Sequence, residues 1–159
     1  MLMVSDPNNP NFRELIPPLA SVEDRNEYDV RKWLFQTSSI QSAIAHAHMF
    51  WPRLVLHDDC VLWADFNVES FEGFLKQCEG DRSRVEEVMN HHHILDLFDQ
   101  EDPSELQVVH LGRMLQGMWR AKLALDFPDR SINVSFFEPE VGDLVDFVIT
   151  FYQVRIADG

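Results

Sequence analysis

Apolar residues along this chain fall into two rhythms: a helical spacing through most of its length, and strict alternation in two shorter stretches. The first alternating stretch, RLVLHDDCVLWA, holds two β-prone runs around Asp58 and Asp59. A two-residue turn there pairs His57 with Cys60 and Val55 with Leu62, although Asp-Asp is a poorer turn than Asp-Gly. The second comprises SINVSFFE, with Ile132, Val134 and Phe136 on one face, and DLVDFVITFYQVR, with Val145, Phe147, Ile149 and Phe151 on one face. The loop around Pro139 and Gly142 joins these as an antiparallel hairpin. Leu144, Val148, Thr150 and Tyr152 on the opposite face predict that part of the second strand is covered on both sides.

Between and before the hairpins the spacing is helical. SVEDRNEYDVRKWLFQ, from Ser21, has Val30, Trp33 and Leu34 as its apolar contacts. Ser38 and Gln41 have capping-box spacing, and Ile40, Ala43, Ile44 and Ala47 then form one stripe, a short buried helix stopped by Pro52. Asn67 caps a helix reaching Cys78, with Phe71, Phe74 and Leu75 inward and Gly80 at the left-handed C-terminal position. A further helix starts at Asp81 or Ser83 and carries Val85, Val88, Met89, His92 and Leu95 on one face. The longest follows Asp102-Pro103-Ser104-Glu105, read as an N-cap, a first-turn proline and an acidic third position, and runs to just before Pro128.

The order helices, hairpin, helices, hairpin indicates the α+β class: two antiparallel hairpins, about 52–64 and 131–155, forming a sheet packed by four to five helices. Pro7, Pro10, Pro17 and Pro18 make residues 1–20 an extended arm, leaving 21–159 as a single domain. The N-terminus lacks a basic start and an apolar run, which predicts a cytoplasmic protein. Cys60 and Cys78, at no recognisable spacing, are then buried thiols.

Charge sharpens the picture because it is uneven. Of the net −14, residues 52–106 carry 4 basic against 14 acidic side chains, whereas 1–51 carry 4 against 6 and 107–159 carry 5 against 7. Such a balance disfavours nucleic acid and anionic membranes and favours a basic protein as partner. Within the acidic third, Asp96, Asp99, Glu101, Asp102 and Glu105 form a run with no intervening base, either a solvated loop with a helix cap or a surface that meets such a partner. Arg113, Arg120, Lys122 and Arg130 gather on and after the longest helix, where ion pairing is the commoner use and an anion pocket the rarer one.

Catalytic signatures are missing. Gly112 and Gly117 have the spacing of a phosphate loop but are followed by Met118 and Trp119, and lie within a helix. There is no G-x-S-x-G, H-E-x-x-H or C-x-x-C, which disfavours an enzyme, and no cofactor motif is found. The seven histidines are His46, His48, His57, His91, His92, His93 and His110. Consecutive helical residues point about 100° apart, so His91, His92 and His93 cannot share one ion on an intact helix, and His92 reads as a core histidine. His57 and Cys60, paired across the first hairpin, have legitimate metal-ligand chemistry, with His46 and His48 one helix earlier. Trp51, Trp63, Trp119, Phe127 and Tyr152 are the rings expected nearest any pocket.

These features predict a non-catalytic binding module of inhibitor, immunity or regulatory type that docks a basic protein through its acidic third. The alternative is a small metal-binding protein or enzyme using His57, Cys60 and neighbouring histidines. A third reading is a homodimer joined along the outer face of the C-terminal hairpin.

Overall fold

In a computed structural model, the described residues are 15–16, 30–97, 102–140 and 143–155. The extended arm expected over 1–20 lies almost entirely outside them. The chain divides into two compact units, residues 1–47 and 48–159. In the first lie helix α1 (Val30–Thr37) and most of helix α2 (Ile40–Phe50), which runs into the second. The α2 helix exists where its apolar stripe predicted it, but Ile40 and Ile44 are 77% and 65% exposed, so it is not the buried helix expected. Periodicity reports that a helix has an apolar face; it does not say what covers that face. The cap is Ser39, whose hydroxyl accepts from the Ser42 amide at 3.1 Å, one residue later than expected.

The second unit holds the sheets. Strands β1 (Leu54–His57) and β2 (Cys60–Trp63) form the first hairpin in the expected register, His57 opposite Cys60 and Val55 opposite Leu62. Asp58 and Asp59 both take the left-handed conformation (φ 46° and 65°) that a two-residue hairpin turn requires and that Asp tolerates better than most residues. Helix α3 (Val68–Gln77) is capped by Asn67, which accepts from the Ser70 amide at 2.8 Å, and Gly80 (φ 83°) reverses the chain. Helix α4 (Arg82–Met89) starts at an Asp81 cap.

The expected continuation of α4 through His92 to Leu95 does not occur; His92–His93 is instead a short strand, β3, and Leu95–Leu97 a single 3-10 turn. The cause is Asn90. Its fully buried side-chain amide donates to the carbonyls of Val61 (2.9 Å) and Phe151 (3.1 Å), anchoring the chain where it leaves the helix. Helix α5 (Glu105–Asp126) is capped by Ser104 rather than Asp102, with a reciprocal capping box to Gln107.

Strands β4 (Ile132–Phe137) and β5 (Val148–Gln153) complete the architecture. The α+β class is as expected, but the hairpins do not form one sheet. β1 and β2 pair only with each other, while a three-stranded antiparallel sheet has the order β3-β5-β4. The added strand is the histidine run, which takes the free edge of β5. Val145 is not on β5; it sits in the 3-10 turn Leu144–Asp146 and is half exposed. β5 is covered on both faces, as its two-sided apolar pattern predicted. Ile149 and Phe151 join Trp119 and Leu115 of α5 in the main core, and Thr150 on the other face donates its hydroxyl to the Glu87 carbonyl of α4 at 2.7 Å. A second apolar cluster, Cys60, Leu62, Phe71, Cys78 and Val85, binds the first hairpin to α3 and α4. No helix among the described residues is long and apolar enough to cross a membrane.

Candidate functional site

Once Asn90 has turned the chain out of α4, His92 and His93 are extended, and an extended chain sends successive side chains to opposite sides. His92 therefore goes inward and His91 and His93 go outward together. The His92 ring packs edge-on against Trp63 (centroids 4.9 Å apart) and Trp119 (6.1 Å), which also meet each other at 5.4 Å. His92 Nε2 and Trp63 Nε1 are both buried and have no hydrogen-bond partner among the described residues. Burial, reinforced by His91, holds the His92 imidazole below its ordinary pKa, against the pull of Asp65 and Asp96.

On the outer side, His91 Nε2 and His93 Nε2 lie 3.3 Å apart, their rings nearly perpendicular at 71°. His93 Nδ1 lies 2.7 Å from the Val145 carbonyl oxygen. A carbonyl can only accept, so Nδ1 carries the proton and Nε2 presents its lone pair to His91. Burial and the neighbouring His93 lower the pKa of His91, while Glu87 raises it. The helical argument that kept these side chains apart fails because the helix ends at Met89: His91 lies between it and the strand His92–His93, and its ring meets that of His93 with centroids 4.9 Å apart.

His57 and Cys60 are brought together as expected, but in an apolar setting. The His57 ring packs against Phe66 and Phe71, each at 4.9 Å, while Cys60 is completely buried, its sulfur 3.8 Å from the Arg82 carbonyl oxygen. Burial first, and the negative charge of Glu86 second, push the Cys60 thiol up to about 11, away from the thiolate that a metal prefers. Among the described residues no three His, Cys, Asp or Glu side chains converge on a point where an ion could sit.

Of the acidic run, Asp96 is exposed on the 3-10 turn, Asp102 and Glu105 are exposed around the start of α5, and Asp99 and Glu101 lie outside the described residues. Elsewhere five cations are paired with carboxylates of the same chain. Arg82 pairs with Asp58 (2.9 Å), Arg130 with Asp59 (2.7 Å), Arg155 with Glu86 (2.9 Å), Arg113 with Glu138 (2.8 Å) and Lys122 with Asp126 (2.5 Å). Arg120 donates to the Val134 carbonyl at 3.1 Å. The basic group on and after α5 is thus engaged within the protein rather than gathered around an anion. In contrast, Glu69, Glu72, Glu79, Glu87 and Asp96 are exposed and form no ion pair among the described residues.

One constellation escaped the reading of the sequence. Glu86, fully buried, accepts from the amides of Val61 (2.6 Å) and Gln153 (2.8 Å), from the Gln153 side chain (2.5 Å) and from Arg155. Its signal was present in the spacing: Arg82, Glu86 and Asn90 recur every four residues beside Val85 and Met89, a polar row on the inward face of α4. Comparison of the chain with family models, curated proteins and solved structures finds no match.

Proposed function

We propose that this protein is a non-catalytic binding module that docks a basic protein partner through carboxylates of its middle third, acting in the cytoplasm. What supports the reading is the asymmetry of charge use. Five cationic side chains of the second unit are tied to carboxylates of the same chain, while Glu69, Glu72, Glu79, Glu87 and Asp96 stand exposed without a cation among the described residues. Exposed Arg53, Lys76 and Arg84 offset only part of their field, and the remaining negative charge attracts cationic surfaces and speeds their encounter. Asp102 and Glu105 extend the same sign to the start of α5. Both cysteines are buried free thiols, which suits a reducing compartment.

Selection from a display library of lysine- and arginine-rich peptides, with an acidic library as control, tests this. Basic sequences are expected to be enriched, and their capture to fall steeply with salt. It should be lost when Glu69, Glu72, Glu87 and Asp96 are together changed to Lys. Capture that ignores both salt and charge reversal, or no enrichment at all, overturns the reading.

A further inference from the structure

The histidine pair beside Glu87 carries chemistry of its own. We propose that His91 and His93 form a two-imidazole chelate for a divalent transition-metal ion of the zinc and copper class, with its remaining coordination positions open to solvent.

Three observations support it. The first is the separation. Two imidazole nitrogens bound to one tetrahedral zinc at about 2.0–2.1 Å stand roughly 3.3–3.4 Å apart, and His91 Nε2 and His93 Nε2 are 3.3 Å apart. The second is orientation. His93 donates its Nδ1–H to the Val145 carbonyl at 2.7 Å, which fixes the tautomer and leaves the Nε2 lone pair on the side of His91. Metal-ligating histidines are held in this way by a carbonyl or carboxylate behind the ring. The third is backbone rigidity. β3 is hydrogen-bonded to β5 with His92 opposite Ile149 and His93 opposite Val148, and the inward His92 ring is packed among Trp63 and Trp119. The strand cannot rotate without extracting a ring from the core, so His91 and His93 stay on the same side.

Without an ion the two nitrogens share one proton: His91 donates Nε2–H to His93 Nε2. On binding, that proton moves to His91 Nδ1, both Nε2 lone pairs turn to the ion, and no net proton is released from the neutral pair. Glu87, whose charge His91 already feels, favours a cation there. Nitrogen donors suit zinc, copper and nickel and are poor partners for magnesium and calcium, which prefer oxygen. With only two protein ligands and an exposed His91, the chelate leaves room for water or for a donor from another molecule.

The test is to titrate the metal-free full chain with Zn²⁺ by calorimetry and with Cu²⁺ by electron paramagnetic resonance. One ion per chain with two coordinated nitrogens is expected, and no response to Mg²⁺. His91→Ala and His93→Ala should each weaken binding by more than about tenfold, a loss of the size that even outer-shell partners of a metal cause. The variants His57→Ala, Cys60→Ala and the double change at His46 and His48 should bind as the parent does. Because His93 also holds the Val145 carbonyl, ¹⁵N-imidazole spectra of the unmutated protein give a second readout: the Nε2 signals of His91 and His93 should move together on zinc addition. No zinc or copper binding, binding retained in both histidine variants, or Nε2 signals that stay put while other histidines respond would overturn the proposal.

Discussion

Gln153, at the end of β5, and Glu86, in the middle of α4, meet in the interior: the Gln153 amide donates to Glu86 Oε2 at 2.8 Å and its side chain to Oε1 at 2.5 Å. Val61 of β2 and Arg155 reach the same carboxylate, at 2.6 and 2.9 Å. One buried acid thus links the two sheets, which share no strand, to a single helix. Gln153 also donates to the Asp59 carbonyl at 2.7 Å, and Arg130 and Arg155 converge on the same residue, bracing the unusual Asp-Asp turn.

Glu86→Ala is accordingly expected to cost about 3–5 kcal/mol, the range for breaking a buried charge pair and leaving its donors unsatisfied. Urea unfolding followed by tryptophan fluorescence would measure it. A loss below about 1 kcal/mol would mean that water takes over the carboxylate's role.

Gly112 lies under the Phe136 ring so closely that a Cβ there would come within 2.2 Å of it. Alanine is the better helix former by about 1 kcal/mol, yet here it forces the ring aside at a cost of about 1–3 kcal/mol. Gly112→Ala should therefore destabilise by roughly 1 kcal/mol, the balance of those two effects, whereas in a Phe136→Leu background it should be neutral or stabilising. A double-mutant cycle in thermal unfolding with no coupling between the sites would contradict that account.

His92 makes stability depend on pH. Burial among Trp63 and Trp119 and the neighbouring His91 hold its pKa below the ordinary value, opposed by Asp65 and Asp96. The unfolded chain, titrating near 6.5, then takes up the proton before the folded one does. The contribution is complete above about pH 6.5 and is lost as the pH falls toward the folded value. His91 and His110, both lowered chiefly by burial, act in the same sense. Denaturation midpoints measured from neutral to mildly acidic pH should fall on acidification, and His92→Phe should flatten that fall without abolishing it. An unchanged slope in His92→Phe would show that the ring protonates without leaving its place.

How much of this could be read from the residues differs element by element. Asn67, Gly80 and the Asp58-Asp59 turn act through their own local geometry, so their roles were plain in the sequence, which left the next cap open between Asp81 and Ser83. The first hairpin register followed in the same way, since a two-residue loop leaves only one pairing. The histidine run misled because its helical periodicity continues past the true end of α4. What stops the helix is the grip of the Asn90 side chain on carbonyls 29 and 61 residues away in sequence.

The sequence by itself determined the α+β class, the Asn67 cap, the first hairpin turn, both hairpins and the two-sided burial of β5, because these depend on residue periodicity and on contacts a few residues apart. Only the tertiary structure decided that the hairpins stand in separate sheets, that Glu86 joins them, that Cys60 is locked away, and that His91 and His93 face each other. Each of these arises from long-range packing and buried hydrogen bonding, in which a polar group finds its partner wherever the folded chain brings one near rather than at any fixed spacing.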